Sequence, residues 1–250
     1  MKKIALITGA TSGIGEATAK KLASDFSLVL CGRNQEKLLR LSNELSKQTE
    51  IITLQFDVRD KNAVFSAIES LPENWKNIDV LINNAGNAHG LDPIDTGTID
   101  DWDAMIDGNV KGLLYVSKAV IPQMINKKSG HIINISSTAG KQTYANGTVY
   151  CASKSAVEEI SKGMRLDIGK YGIKITNLAP GAVETDFSNI RFKGDLERAS
   201  KVYEGFEPLK AEDIANTIYF VLSAPKHMLI ADITITPTAQ IDATTFVRNE

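Results

Sequence analysis

The chain has 250 residues, 43% of them hydrophobic, and its 28 basic and 30 acidic side chains leave a net charge of −2. That balance argues against nucleic acid or an anionic membrane as partner, and no apolar run approaches the ~20 residues of a spanning helix. The start, Met1-Lys-Lys ahead of IALIT, lacks the apolar length and cleavage site of a signal peptide, and the two cysteines, Cys31 and Cys151, have no Cys or His nearby at metal-ligand spacing. The expectation is a soluble cytoplasmic protein with free thiols and no bound metal.

Residues 3–8 (KIALIT) form an apolar run of strand length, suited to burial on both faces. TGATSGIG follows directly and places Gly9, Thr11, Ser12, Gly13, Ile14 and Gly15 ahead of a helical pattern over 14–24. Strand, glycine-rich turn and helix together let backbone N–H groups and a helix N-terminus approach a pyrophosphate. The spacing here is G-x-x-x-G-x-G, not G-x-G-x-x-G.

A second strand over 27–31 ends in Gly32-Arg33-Asn34, before a polar helix beginning near 35. An acidic residue at such a strand end would accept hydrogen bonds from an adenosine ribose and repel a 2′-phosphate. Here Gly32 carries no charge and Arg33 offers a planar guanidinium, which favours NADP over NAD. The third strand, about 50–56, leads into Asp57-Val58; the aspartate suits a helix cap for 61–71 as well as a place beside the adenine. A fourth strand at 78–82 runs into Asn83-Asn84-Ala85-Gly86, small and amide-bearing, suited to bracing loops and letting a cofactor pass close.

Residues 99–126 read as one long helix with Thr98 or Asp100 as cap. Asn109 and Gly112 in its interior, both poor helix formers, signal a kink or a function. The fifth strand, 131–135, is followed by Ser137, thirteen positions ahead of Tyr150. Tyr150-x-x-x-Lys154 puts a phenol and an ammonium one helical turn apart on one face. A free tyrosine titrates near 10, so a base at pH 7 needs about three units, roughly 4 kcal/mol, of help; a nearby cation supplies much of it. That helix continues to about 171, and a sixth strand, 173–178, runs into the loop Ala179–Thr185 carrying Pro180, Gly181, Val183 and Thr185. Periodicity then breaks down over about 186–208, where aromatics mix with Arg191 and Lys193 as in a mobile substrate lid. A helix over 211–222 and a strand near 232 complete the pattern, and the tail to 250 carries no assignment.

Six strands alternating with helices, plus one at the end, call for a single α/β domain spanning 1–250: a Rossmann fold with a doubly wound, parallel, seven-stranded sheet. Ligands bind outside the carboxyl ends of such strands, where Gly9–Gly15, Arg33, Asp57, Asn83–Gly86, Ser137 and Pro180–Thr185 all fall.

With these residues in place the chain resembles the short-chain dehydrogenase/reductase family over essentially its whole length, through TGATSGIG, NNAG, Asn109, Ser137, Tyr150-x-x-x-Lys154 and PGAVET. Within the family, MIDGNVKGLLYVSKAVIPQM, FSNIRFKGD and ITPTAQ are similar to the NADP-dependent 3-hydroxy acid dehydrogenases that oxidise L-serine and L-allo-threonine. The resemblance implies that Tyr150 moves the substrate hydroxyl proton as base or acid, that Lys154 lowers its pKa and holds the nicotinamide ribose, and that Ser137 bonds the reacting oxygen. It further implies that Asn109 anchors a water on a proton path to Lys154, that Thr185 orients the carboxamide, and that NADP carries the hydride. A homo-oligomer, tetramer favoured, follows from the same resemblance. Gly108 departs from the larger residue expected before Asn109, adding flexibility at the kink.

The carboxylate of a small 3-hydroxy acid needs a cation, for which Arg191 or Lys193 is available. An NADPH-dependent carbonyl or 3-ketoacyl reductase is the alternative enzyme. A non-catalytic NADP-binding regulator on the same fold is disfavoured by the presence of both Tyr150 and Lys154. His89, His131 and His227 are scattered, as expected for a protein without a metal site.

Overall fold

Alternation along single strands divides the core in two. Ala5 and Ile7 of β1 (Lys3–Thr8) enter one apolar cluster, whereas Ile4 and Leu6 enter another. A strand whose successive side chains are both buried must be covered on both faces, and here it is. The computed structural model describes residues 2–249.

One face carries α1 (Gly13–Leu22), α2 (Gln35–Leu45) and α10 (Ala211–Ser223), packing Leu22, Leu38, Ile214 and Ile218 onto the sheet. The other carries α3 (Lys61–Glu69), α5 (Leu113–Asn126) and α7 (Thr148–Ile168), through Val64, Ile68, Val116, Val120 and Ile168. Between them lie β1, β2 (Phe26–Gly32), β3 (Ile51–Gln55), β4 (Ile78–Asn83), β5 (Gly130–Ile135), β6 (Ile173–Pro180) and β9 (Asp232–Ile235). All pair in parallel, in the order β3-β2-β1-β4-β5-β6-β9. The order reverses between β1 and β4, and the crevice at that point lies beside Gly9 and Asn84, as the Rossmann pattern requires.

The helix expected over 99–126 is present over those residues, as α4 (Ile99–Ile106), a π-helical turn over Asp107–Gly112 and α5 joined end to end, and the irregularity falls on the expected Asn109 and Gly112. The extra residue in that turn goes with close packing from outside: a Cβ on Gly112 would lie 2.7 Å from Val58 Cγ2, and one on Gly108 3.0 Å from Asn87 Nδ2. Gly108 is therefore a buried packing position, not a point of looseness. The segment 186–208 holds α8 (Phe187–Arg191) and α9 (Leu196–Lys201), too short for a helical period to register in sequence. Its base is closed by β7 (Val183–Glu184) pairing with β8 (Leu209–Lys210).

The unassigned tail is ordered by long-range contacts. Ile241 N–H donates to Thr245 O and Val247 N–H to Ala239 O, folding it back on itself. Phe246 stacks on Phe206 at 4.5 Å, and Asn249 N–H donates to Gly205 O at 2.7 Å.

Candidate active site

The carboxyl ends of the strands open into one large cavity of about 1070 Å³. It runs from the glycine turn after β1, past Arg33 and Asp57, to Ser137, Tyr150 and the segment at 186–194.

At its floor the backbone is forced close. Gly9 and Gly13 sit in the left-handed region (φ 65° and 51°), and a Cβ on Gly15 would stand 2.2 Å from Gly9 O; each position demands glycine. Ser12 precedes α1 in extended conformation but its side chain accepts no hydrogen bond there. The first N–H groups of α1 are thus left for a ligand, and a helix N-terminus favours an anion. Asn84 secures the floor: its side chain donates to Thr8 O (3.0 Å) and Gly9 O (3.2 Å), while the Thr8 hydroxyl receives both Asn84 N–H and Ala85 N–H. Asn83 lies deeper and donates to Ser117 and Asn134. Ile14 and Thr11 line the same cavity, and Gly32 is glycine because a Cβ would meet Thr11 Cγ2 at 2.8 Å.

Charge is concentrated where β2 and β3 end. Arg33 is 70% exposed and stands 3.9 Å from Asp57. Asp57 is held much more firmly by Arg59, whose Nε and Nη2 both donate to its carboxylate, at 3.0 and 2.7 Å. Burial alone would raise the Asp57 carboxyl, but the bonds from Arg59 outweigh it and keep the group below its usual range. With Lys37 also lining this end, three cations face one neutralised carboxylate, a setting that fits a phosphate on the adenosine ribose. Asn34 caps α2 by accepting Lys37 N–H at 2.9 Å. Arg59 and Lys37 went unnoticed in sequence because surface arginines and lysines are common; the Asp-x-Arg spacing of 57–59 was the available signal.

At the other end the reacting groups converge. Ser137 ends the β5 turn and caps the single-turn α6 (Thr138–Lys141), accepting Ala139 N–H at 3.1 Å. Tyr150 and Lys154 lie on the first two turns of α7, 8% and 6% exposed. Burial pushes the Tyr150 phenol well above its ordinary value; the Tyr144 phenol adds to this, while the Ser137 hydroxyl and Arg191 oppose it. Burial lowers Lys154 to about 8, and its Nζ donates to Ile135 O at 3.0 Å. In the free protein, then, desolvation outweighs any activation of the phenol by the lysine. Gly86 leaves the room Lys154 needs, since a Cβ there would come 3.3 Å from Nζ.

Asn109, expected to anchor a water, has its side-chain amide fully engaged with protein groups. Its Oδ1 accepts Asn87 N–H (2.7 Å), and its Nδ2 donates to Asn87 O (2.8 Å) and Ser153 Oγ (3.0 Å). The amide is spent on holding the Asn83–Asn87 stretch against α7. Gly108 gives Asn87 its space, and Asn87 Nδ2 donates to Ala104 O.

Beyond Tyr150 the wall belongs to residues from distant segments. Phe187 sits 5.8 Å from the Tyr150 ring, and the Arg191 guanidinium lies 5.4 Å above that ring and 5.7 Å above Tyr144. Arg191 Nη2 donates to Tyr144 OH (3.0 Å) and Nε to Gly90 O (3.2 Å). Lys193 lines the same cavity and pairs with Asp101 at 2.9 Å, whereas Arg191 lies over the Tyr150 ring. Thr185 packs on Gly13 and starts the α8 turn by accepting Phe187 N–H. Pro180, Gly181 and Val183 line the cavity, and Gln240 from the tail seats their loop by accepting Ala182 N–H at 2.9 Å. Tyr144 and Gln240 were missed because nothing local marks them: only folding brings them here.

Residues 3–195 match the family described as short chain dehydrogenase. NADP-dependent 3-hydroxy acid dehydrogenase YdfG of Salmonella typhi is 42% identical over 239 residues, 95% of this chain and 96% of that protein. Sulfoacetaldehyde reductase 2 of Chromohalobacter salexigens is 40% identical over 242 residues, 96% of each chain. Among solved structures, the closed form of serine dehydrogenase complexed with NADP+ superposes with a TM-score of 0.92 at 40% identity, over 99% of this chain and 100% of that one.

Proposed function

The chain belongs to the short-chain dehydrogenase family, and from that premise we propose that it moves a hydride between NADP and a small 3-hydroxy acid such as L-serine or L-allo-threonine. The observation that carries the substrate class is Arg191, a cation held directly above the Tyr150 ring by Gly90 O and Tyr144 OH. A carboxylate one carbon beyond the reacting alcohol would reach a guanidinium so placed, and Arg presents paired donors to it.

The chain's residues divide the work. The α1 N-terminus with Gly9–Gly15 would hold the pyrophosphate, and Arg33, Lys37 and Arg59 the 2′-phosphate. Val58, Asn84, Ala85, Gly86 and the Pro180–Thr185 loop would line the path between. When bound, NADP supplies the hydride acceptor. Ser137 would hydrogen-bond the substrate oxygen while Tyr150 takes its proton in oxidation or returns it in reduction. A phenol raised by burial is suited to donating in reduction. To accept in oxidation it needs a cation close by, and Lys154, lowered only to about 8, keeps its charge at neutral pH. Asn109 would act through Asn87 and Ser153, keeping the Gly86 stretch and α7 at fixed spacing.

A second reading is favoured by the sulfoacetaldehyde reductase relative. A 2-hydroxyalkanesulfonate also carries its anion one carbon beyond the alcohol carbon, so the same Arg191 would serve it. Steady-state oxidation of L-serine, L-allo-threonine, 3-hydroxybutyrate, 2-hydroxyethanesulfonate and neutral secondary alcohols, with NADP and NAD compared, tests both. Acids winning with NADP is the expected result. Neutral alcohols winning would leave a dehydrogenase but remove the acid, and a preference for NAD would refute the role given to Arg33.

Homotetramer formation in the cytoplasm completes this reading. The location is supported by two buried unpaired thiols, and the assembly by the resemblance to the family. Sedimentation of a monomer would contradict the assembly, and recovery of the protein outside the cytoplasm on cell fractionation would contradict the location.

A further inference from the structure

Behind the reacting groups lies a set of charges that the proposed reaction does not use. Glu158, 7% exposed, is on α7 one turn past Lys154. Its Oε1 accepts from Ser136 Oγ and Asn177 Nδ2, both at 3.1 Å, and its Oε2 pairs with Lys141 Nζ at 3.1 Å. Lys141 pairs as well with Asp232 at 2.8 Å, and Asn177 Nδ2 reaches the other Asp232 oxygen at 2.8 Å. Taking a carboxylate out of water is costly unless it is paired and fully hydrogen-bonded; this one has three donors, two from the 136–141 stretch and one from β6.

Two of those donors bracket Ser137. Ser136 is its neighbour, and Ser136 Oγ lies 3.1 Å from both Glu158 Oε1 and the Lys154 carbonyl, so its single proton is shared between two points on α7. Lys141 is the last residue of α6, the turn that Ser137 caps. A third tie, Ser155 Oγ to Gly140 O at 2.8 Å, joins the same pair of helices. A Cβ on Gly140 would stand 2.7 Å from Ser136 Oγ and 2.8 Å from Lys154 O, which shows how closely α6 is drawn against α7.

We propose that Glu158 is a positioning residue: by gripping Ser136 and Lys141 at once, it clamps the Ser137 turn onto the Tyr150–Lys154 helix and sets the Ser137–Tyr150 geometry. It touches neither substrate nor cofactor. The inference rests on the dehydrogenase roles of Ser137 and Tyr150, and not on the acid substrate.

Glu158→Gln keeps the size and removes the charge that holds Lys141. On whichever alcohol the wild type turns over best, kcat should fall on the order of tenfold, since small misplacements of reacting groups are costly. Substrate KM and the NADPH dissociation constant, read from nucleotide fluorescence, should stay within about twofold because the cofactor floor is elsewhere. The solvent isotope effect on kcat should rise as proton transfer becomes limiting. Lys141→Met, which leaves the carboxylate with only Ser136 and Asn177, should act in the same direction and serves if Glu158→Gln does not fold. A lowered melting temperature with kcat and isotope effect unchanged would make the cluster merely structural and overturn the proposal, as would parallel losses in kcat and NADPH affinity. The ratio of acid to neutral substrates, measured on the wild type, judges the substrate reading separately.

Discussion

The two ends of the cavity are built in different ways. The cofactor end is made by strand termini and by backbone packed against backbone: Gly9, Gly13, Gly15 and the Asn84 amide within 3.2 Å of Gly9 O. The substrate end is made by short helices tied to remote segments largely through side chains, Arg191 to Gly90, Lys193 to Asp101, Phe206 to Phe246, with single main-chain bonds such as Gly90 N–H to Arg191 O. The strand ends share the ladder of the whole sheet, whereas α8 and α9 rest on a few isolated bonds, and regions with few such ties open at the lowest cost. One end is suited to a constant ligand and the other to selecting among variable ones.

The largest expected effect lies at the seam between them. Tyr150→Phe should cut turnover by roughly 10²–10⁴-fold while NADPH still binds; a variant with more than a tenth of wild-type activity would mean that proton transfer runs through another group.

Next comes a test of the buried lysine one turn from Tyr150. Lys154 is held near 8 against an ordinary value of 10.5. Its folded pKa is depressed, so the unfolded chain binds the extra proton between these values and stability rises with pH across about 8–10.5. The shift corresponds to about 3 kcal/mol. Tyr150, raised in the fold, works the other way above about pH 10. Lys154→Met should therefore remove a rise in the melting temperature of the ligand-free protein between pH 8 and 10, and equal pH profiles for both proteins would show that the lysine is not desolvated as described.

The smallest effect belongs to the segment carrying α8. Arg191→Ala should raise KM for acidic substrates roughly tenfold to a hundredfold, the worth of a charged hydrogen bond, and leave neutral alcohols within twofold. An equal change for both classes would mean that Arg191 only holds α8 in place through Gly90 and Tyr144 without reading the acid.

The same division governs what could be read in advance. Residues 3–8, 27–31 and 78–82 are apolar runs whose burial on both faces leaves a single arrangement, and each strand was found within a residue or two at either end. The glycine turn and the Tyr150/Lys154 spacing were legible for the same reason: they are local rules of backbone and helix geometry. The π turn at Asp107–Gly112 was foreshadowed by Asn109 and Gly112, but the need for glycine at 108 and 112 comes from Asn87 and Val58, which belong to other loops. Arg59 escaped notice because an exposed arginine has no meaning until its carboxylate partner and the cavity are known.

By itself, then, the sequence determined the parallel sheet, its two-sided core and the set of groups at the strand ends. Those follow from periodicity, steric freedom and charge within a few residues of each position. Only the tertiary structure decided that Arg191 lies over the Tyr150 ring, that Asn109 spends its amide on Asn87, that Gln240 returns to seat the Ala179–Thr185 loop, and that Glu158 grips both sides of Ser137. Each of these joins residues from 17 to 58 positions apart, and no local pattern encodes a hydrogen bond whose partner is brought near only by the folding of everything between.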